Sequence, residues 1–137
     1  MRSASVSLLV LLLLAIVGCG GRTSPRRAVQ GEVTLAGAPL DQGTITFFPS
    51  TGTAGASGGA LIQNGKYALP ADKGLEPGKY RVQLSSPKPS TATAEDYAAG
   101  NMPLTAEDRI PPDFNERSKQ VIEVTAQGEN QFDFAVP

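Results

Sequence analysis

The sequence predicts an all-β protein built as one sandwich of about seven short strands, and two observations lead to this prediction. Apolar and polar residues alternate in several short runs, which is the period of a strand with one buried face. Glycine, proline and asparagine residues separate these runs at intervals typical of β-sandwiches. The 110 residues from Ala28 to Pro137 suit one domain of ordinary size.

The first two strands lie within Gly31–Pro49, GEVTLAGAPLDQGTITFFP. Val33 and Leu35 alternate with polar residues in the first strand, and Ile45 and Phe47 do so in the second. These four side chains are therefore predicted to point into the core. The glycine and proline between the two runs indicate a turn.

A hairpin is predicted next, because Asn64-Gly65 separates the strand-like runs Ala60–Gln63 and Lys66–Leu69. Two residues of this kind form a type I′ turn, in which both have positive φ. The alternation also places Tyr67 on the inner face of its strand.

The stretch around Tyr80 is predicted to be a turn followed by a strand. Pro77-Gly78 favours a type II turn, with positive φ at the glycine, and Tyr80, Val82 and Leu84 then alternate with polar residues. A leucine before the turn and a tyrosine after it resemble the tyrosine corner of β-sandwich domains, in which the phenol donates to nearby backbone. We therefore predict a structural role for Tyr80 in preference to a binding role.

A long segment, Ser86–Ser118, lacks the alternation of the strands. Thr93–Asp96 is similar to a capping box and Gly100 is placed to end a helix, so a short helix is predicted over Ala94–Ala99. The remainder of Ser86–Thr105 is expected to be mobile, since loops of this length without their own structure are often functional or disordered.

The second part of this segment carries apolar anchors. Ile110–Asn115 is predicted to be extended, because proline disfavours helix at the preceding residue, with Phe114 buried against the sandwich. Loops on rigid scaffolds often carry binding residues, so the candidate binding surface consists of Tyr97, Met102 and Phe114. Two closing strands are predicted after the segment, with inward side chains at Ile122, Val124, Phe132, Phe134 and Val136.

The first 18 residues are predicted to be an export signal outside the fold. Val6–Val17 is a run of 12 residues, apolar except for one serine. This run is shorter than the roughly 20 residues of a membrane-spanning helix, and it is typical of a signal sequence. The following Ile16-Val17-Gly18-Cys19 resembles the lipobox of bacterial lipoproteins, which implies cleavage after Gly18 and a diacylglycerol on Cys19. Since Cys19 is the only cysteine, the alternative is a lone free thiol.

The lipoprotein resemblance also implies a location. Acyl chains on Cys19 would hold the protein on a membrane, at about 0.8 kcal/mol per buried CH₂. The residue after the cysteine is Gly20 and not an aspartate. In a cell with two membranes, the lipoprotein pattern then implies sorting to the outer membrane, with the domain facing the periplasm or the exterior. Residues 19–27 form a tether whose three arginines either contact anionic head groups or are simply solvated.

The composition excludes several functions. The net charge of −1 becomes −2 once Arg2 is removed with the leader, which argues against a nucleic-acid partner. The chain has no histidine, which removes Ser-His-Asp and Cys-His catalysis and the histidine ligands of most catalytic zinc sites. We therefore expect no enzyme activity, no cofactor and no metal centre. Six carboxylates of the long segment could hold Ca²⁺ only if they converged, and their spacing matches no calcium loop. They are Glu95, Asp96, Glu107, Asp108, Asp113 and Glu116.

The order of these motifs resembles the carboxypeptidase regulatory-like, or transthyretin-like, β-sandwich domain of small bacterial lipoproteins. The resemblance implies a single seven-strand Greek-key sandwich of the prealbumin or Ig-like kind over residues 28–137, after a signal peptide over 1–18 and a tether over 19–27. It implies no catalysis, because the hydroxyisourate hydrolases of this fold use histidines and a Tyr-Arg-Gly-Ser terminus that this chain lacks. The residues that carry it are Gly31-x-Val33-x-Leu35, Ile45-x-Phe47, Asn64-Gly65-Lys66-Tyr67, Pro77–Val82, Ile110–Asn115 and Asn130–Phe134.

Two functions are compatible with these predictions. The leading hypothesis is a membrane-anchored, non-catalytic lipoprotein with a structural or protein-binding role in the cell envelope. The alternative is a solute- or glycan-binding module that uses residues 86–118 for recognition. A cleft lined by Tyr97, Met102 and Phe114 would favour the alternative.

Overall fold

The computed structural model describes residues 25–89, 92–100 and 106–137, apart from the side chain of Tyr97. These residues form eight strands and one short helix, so the all-β prediction is confirmed. The elements are β1 Val29–Leu35, β2 Ala38–Pro39, β3 Gln42–Pro49, β4 Gly58–Gln63, β5 Lys66–Leu69, β6 Gly78–Ser85, α1 Ala94–Ala98, β7 Val121–Val124 and β8 Phe134–Val136.

The strands form one curled sheet in the order β2-β1-β5-β4-β3-β6-β7, with β8 added to β1. Every pair is antiparallel except β1 with β8, which is parallel. Each of the seven runs expected from the sequence contributes a strand. The eighth, Ala38–Pro39, has two residues, too few to produce a recognisable alternation.

Strand β1 is paired along both of its edges. On one edge its first half pairs with β5 and its last two residues pair with β2. On the other edge Gln30 bridges to Gln131, and Val33–Leu35 pairs with β8. Gly31 is required at this junction, because a Cβ there would collide with the carbonyl group of Phe132. Strand β8 is thereby held against the second half of β1.

The core contains the side chains that the alternation predicts to point inward. Val33, Ile45 and Phe47 are fully buried, and Ile122 and Val124 are buried in β7. Leu35 and Phe132 are only partly buried and pack at the margin of the core. The other buried apolar side chains are Val29, Leu40, Ile62, Tyr67, Leu69, Leu75, Tyr80, Val82, Leu84, Ile110, Phe134 and Val136.

The turn predictions are confirmed in part. Asn64 and Gly65 have φ of 51° and 77°, the signs of a type I′ hairpin turn. Gly78 has the predicted positive φ, but its value of 153° is far from the +80° of a type II turn. Gly78 is instead the first residue of β6, paired with Val124, and a Cβ there would lie 2.6 Å from Thr53 Cγ2. The predicted type II turn is therefore wrong, because strand pairing with β7 already sets the backbone at this glycine.

Two buried tyrosines use their hydroxyl groups to join elements. The Tyr80 hydroxyl donates to the carbonyl oxygen of Glu76 at 2.9 Å, which is the hydrogen bond expected of a tyrosine corner. The Tyr67 hydroxyl donates to the carbonyl oxygen of Phe132 at 2.7 Å, linking β5 to the approach of β8. Burial is the main cause that raises the pKa of both phenols, with the carboxylates of Asp133 and Glu76 adding to it. Both tyrosines therefore have the structural role predicted for Tyr80.

The long segment differs from its prediction in one respect. Helix α1 lies within the predicted range, capped by Thr93, and Gly100 has φ of 76° after it. Ile110 is buried as expected. Residues 112–117, however, form consecutive turns, with Arg117 N–H donating to Pro112 at 2.8 Å, so the extended conformation predicted for Ile110–Asn115 is wrong. Proline disfavours helix at the residue before it, but the carbonyl groups of Pro111 and Pro112 remain free to accept the turn hydrogen bonds.

Candidate functional site

Within the long segment, residues 86–88 and 107–109 lie side by side next to the end of β6. Lys88 N–H donates to the Glu107 carbonyl at 2.8 Å, and Arg109 N–H donates to the Ser86 carbonyl at 2.9 Å. Pro87 and Asp108 form a β-bridge between these two bonds. The expectation that the chain is mobile from Ser86 onward therefore does not fit its first three residues, whose backbone is paired.

Asp108 is the centre of this junction. Its Oδ1 accepts the N–H groups of Ser86 at 2.9 Å and Ile110 at 2.8 Å. Its Oδ2 accepts the Ser85 hydroxyl at 2.6 Å and the Asn115 amide at 2.9 Å. Burial by itself would raise the pKa of this carboxyl group, but the four hydrogen bonds outweigh burial and the pKa is lowered. We call Asp108 and these four partners the Asp108 network.

Arg109 connects the Asp108 network to the turn before β3. Its Nη2 donates to Asp41 Oδ1 at 2.6 Å and to Ser86 Oγ at 2.6 Å. The buried Ser86 hydroxyl in turn donates to the Gln42 carbonyl at 2.6 Å. The hydrogen bond from Arg109 is the largest cause that lowers the pKa of Asp41. Because the Asp41 side chain is mostly exposed, this ion pair contributes little stability, and the buried serine is the firmer contact.

The chemistry of the Asp108 network is structural. A nucleophilic serine needs a nearby base that can take its proton. Ser85 donates to Asp108, but a carboxylate with a lowered pKa is a poor proton acceptor near neutral pH. Ser86 donates to a backbone carbonyl, which is no base at all. The geometry therefore fixes the segment to the sheet and activates neither serine.

The structure describes only one side chain of the candidate binding surface. Phe114 packs against the core and is half-buried, so it is less buried than predicted. Its carbonyl oxygen accepts the Leu84 N–H at 2.9 Å, which holds it at the margin of the core. Met102 lies outside the described residues, and Tyr97 belongs to α1 without a described side chain.

Three further acidic residues of the segment have partners away from the Asp108 network. Asp96 accepts hydrogen bonds from Thr93, Glu107 pairs with Lys88 at 2.8 Å, and Asp113 lies 3.8 Å from Arg117. In the part of the chain that the structure describes, no group of three or more histidine, cysteine, aspartate or glutamate residues is arranged to hold a metal ion. The convergence that a calcium site requires is not found among these residues.

A concave surface with a volume of about 730 Å³ lies over β1, β4 and β5, and we call it the strand groove. Tyr67 contributes to its lining, and Leu61 stands in it with 65% of its surface exposed. Among the described residues, no part of 86–118 lines this groove. Its polar side chains are Gln30, Glu32, Gln63, Lys66, Lys73 and Gln131.

The strand groove has one carboxylate, Glu32, and two ammonium groups, Lys66 and Lys73, and is rich in amides. Lys66 and Glu32 lie across adjacent strands with Nζ and Oε1 3.7 Å apart, an exposed pair that contributes little stability. The three glutamine amides can each donate and accept hydrogen bonds. Exposed leucine beside neutral polar groups is a composition suited to binding another molecule through contact and hydrogen bonding.

The predicted cleavage and acylation residues, Gly18 and Cys19, lie outside the described residues. Within residues 25–89, 92–100 and 106–137, no helix is long and apolar enough to cross a membrane. Comparisons with protein-family models, with characterised proteins and with solved structures give no match.

Sequence reasoning did not find the Asp108 network or the strand groove. Asp108 was recognised only as one acid among six, because its partners Ser85 and Ser86 lie more than 20 residues earlier in the chain. The groove is formed by outward side chains of strands that become neighbours only through the sheet order. One signal was present: Leu61 occupies an outward position of a predicted strand, where a polar residue is usual.

Proposed function

We propose that this protein is a membrane-anchored, non-catalytic lipoprotein of the cell envelope whose β domain binds another protein. The observation that carries the binding part is the strand groove, where Leu61 is exposed on a rigid sheet surface. Protein interfaces combine an apolar centre with a polar rim, and in the groove Leu61 lies among polar side chains. The anchor part is supported by the Ile16-Val17-Gly18-Cys19 motif directly after a hydrophobic run.

The finer fold is part of the same proposal. We infer that the curled sheet is the seven-strand Greek-key sandwich of the carboxypeptidase regulatory-like domain, with β2 as an added short strand. Support comes from Tyr80, whose hydroxyl makes the bond of a tyrosine corner, and from Asn64-Gly65, which forms the hairpin turn of the motif. The absence of histidine from the chain supports a non-catalytic role.

The anchor is tested by the mass and partitioning of the purified protein. Wild-type protein should carry a diacylglycerol on Cys19 and enter the detergent phase, whereas Cys19→Ser should accumulate as a precursor or as soluble protein. Gly20→Ala is the matched control, because it changes the neighbouring residue and leaves the lipobox intact. A wild-type protein without acyl mass that partitions into water would refute the anchor.

The binding surface is tested by capture from solubilised envelopes with the tagged full-length protein. Leu61→Asp should abolish enrichment of the partner identified with the wild type. Val121→Asp is the matched control, because Val121 is equally an exposed strand residue, 58% exposed, but lies on β7 outside the groove. Loss of the partner with both variants, or with neither, would rule out the groove as the binding surface.

A second function is favoured by one observation, the three glutamine amides of the strand groove. Amides that donate and accept together suit the hydroxyl groups of a glycan. This variant of the solute-binding hypothesis places recognition on the groove, whereas the sequence suggested residues 86–118. Titration with envelope glycans, followed by the side-chain amide resonances of Gln30, Gln63 and Gln131, distinguishes it from protein binding.

A further inference from the structure

A second cavity lies where the chain enters the domain, and Gln30 is the one residue of its lining that it shares with the strand groove. It has a volume of about 360 Å³ and is lined by Arg26, Arg27, Gln30, Glu129 and Asn130 among others. We call it the arginine pocket. Two adjacent arginines beside one acidic residue make the pocket basic.

Arg27 is held rigidly by its backbone. Its N–H donates to the Leu75 carbonyl at 2.7 Å, and the Leu75 N–H donates back to the Arg27 carbonyl at 3.0 Å. Gly74 lies so close that a Cβ there would collide with the same Arg27 carbonyl. The base of this side chain therefore does not have to be ordered when a ligand binds, which lowers the entropy lost on binding.

The guanidinium of Arg27 has a hydrogen-bond donor without a partner. Its Nε is buried and makes no hydrogen bond. Among the described residues, neither Arg26 nor Arg27 has a carboxylate oxygen within 4.0 Å, and Arg26 makes one long bond of 3.4 Å to the Asp72 carbonyl. A buried donor without an acceptor is unfavourable, and native structures usually satisfy such groups. An anion in the pocket satisfies this donor when the guanidinium turns its Nε edge towards the cavity.

We propose that the arginine pocket binds the phosphate of an anionic phospholipid head group. A guanidinium binds phosphate through two parallel N–H bonds, one of them from Nε, which is the donor left unpartnered here. The choice of a lipid as the source of the phosphate rests on the proposed anchor. Cys19 lies seven residues before Arg26, so the extended chain between them spans at most about 23 Å, and the pocket stays close to the membrane surface.

The test uses the full-length protein, purified in non-ionic detergent, with the arginine Nε–H resonances observed by NMR. Short-chain phosphatidylglycerol, short-chain phosphatidylcholine and inorganic phosphate are titrated separately. Phosphatidylglycerol should shift the Arg27 resonance at a concentration at least tenfold below that required for inorganic phosphate, and phosphatidylcholine should have little effect. No shift with any of the three overturns the site, and an equal or stronger response to inorganic phosphate overturns the lipid assignment.

Variants distinguish the hydrogen bonding of the Arg27 guanidinium to phosphate from the attraction of its charge alone. Arg27→Lys keeps the charge and the backbone pairing but lacks Nε, and Arg26→Gln removes one charge. Arg26→Gln should weaken the apparent affinity about fivefold, as expected for the loss of one cation near an anionic surface. Arg27→Lys should also weaken it, because the paired N–H donors are lost, and both effects are measured from the shifts of the Asn130 amide. Arg117→Lys is the control, because Arg117 lies in the turns of 112–117 outside the pocket. Glu129→Gln should strengthen binding by removing the opposing charge, and an unchanged affinity in the Arg27→Lys and Glu129→Gln variants would overturn the proposal.

This measurement does not depend on acylation of Cys19. If mass analysis finds no lipid on Cys19 but the Arg27 resonance still responds to phosphatidylglycerol, the anchor is refuted and the pocket stands. If the protein is acylated and Arg27 does not respond, the pocket is refuted and the anchor stands.

Discussion

Helix α1 and the Asp108 network belong to the same long segment, and each depends on an aspartate that accepts several hydrogen bonds. Asp96 accepts the N–H of Thr93 at 2.7 Å and its hydroxyl at 2.8 Å. These bonds join residues three positions apart. Asp108 accepts bonds from Ser85 and Ser86, 23 and 22 residues earlier, and from Ile110 and Asn115 later in the chain.

The difference shows that the same side chain can have a local or a tertiary role. Asp96 lowers the free energy of one turn of helix, and its pKa is lowered by the backbone and hydroxyl bonds from Thr93. Asp108 closes a loop of about 20 residues against the sheet, so its loss affects elements far apart in sequence. The following experiments test this contrast, beginning with the largest expected effect.

Asp108→Ala should lower the free energy of unfolding by about 2–3 kcal/mol. The substitution leaves the Ser86 and Ile110 N–H groups and the Ser85 hydroxyl without their acceptor in a partly buried site. Urea unfolding followed by circular dichroism measures the change. Asp113→Ala is the control, because Asp113 is an exposed acid of the same segment. Equal midpoints for the two variants would mean that the network does not support the fold.

The stability should also depend on pH through Asp108. Its pKa is lowered on folding, so its contribution is complete above the ordinary value of 3.8 and is lost as the pH falls through the lower folded value. Unfolding midpoints measured from pH 6 to pH 2 should therefore fall less steeply for Asp108→Asn than for the wild type. The pKa of Asp41 and of Asp96 is lowered as well, so part of the acid dependence should remain in the variant. Parallel curves for the two proteins would contradict this assignment.

Tyr67→Phe and Tyr80→Phe compare a long-range hydrogen bond with a local one. Each variant should lose about 1 kcal/mol of stability, because one bond is removed and the ring stays buried. Amide hydrogen exchange should distinguish them. Tyr67→Phe should speed exchange at the Phe132 N–H, which donates to Gln30 at 2.9 Å, and Tyr80→Phe should not. Identical exchange at Phe132 in both variants would show that the Tyr67 hydroxyl does not hold the approach to β8.

Thr93→Ala should have the smallest global effect. The variant removes the hydroxyl that caps α1, which typically destabilises a helix by about 1 kcal/mol, but α1 has only five residues and makes local bonds. We expect faster exchange at the Ala99 N–H and an unchanged urea midpoint, with Thr51→Ala as an exposed control. The Lys88 and Arg109 amides should remain protected in this variant, because their partners lie at the base of the segment. A lowered midpoint would mean that the helix stabilises the domain and that the contrast with Asp108 is wrong.

The contrast between local and long-range hydrogen bonds also explains which predictions from the sequence are confirmed. Thr93 and Gly100 lie beside the helix that they begin and end, and Asn64-Gly65 lies within the turn that it forms, so residues close in sequence define these features. The type II turn at Gly78 is wrong because pairing with Val124, far along the chain, sets that backbone. The extended conformation predicted for Ile110–Asn115 is wrong because the carbonyl groups of the two prolines accept hydrogen bonds that form turns.

The candidate site could be predicted less well than the fold. Phe114 was expected to be buried and is half-buried, because its position depends on where the turns of 112–117 meet Leu84. Leu61, Gln30 and Gln131 come from three distant parts of the chain and share a groove only through the strand order. The sequence predicts that Arg27 belongs to a tether, whereas its backbone pairs with Leu75 inside the domain.

The sequence by itself determined the all-β class, the phase of the strands and the Asn64-Gly65 turn, because alternation and turn chemistry act between residues a few positions apart. Tertiary structure alone decided that β8 joins β1 in parallel, that Asp108 closes the long segment, and that two arginines enclose a pocket with Asn130. The physical reason is that a hydrogen bond between distant residues forms only after the sheet has brought them together. No pattern along the chain records which donor each acceptor will meet.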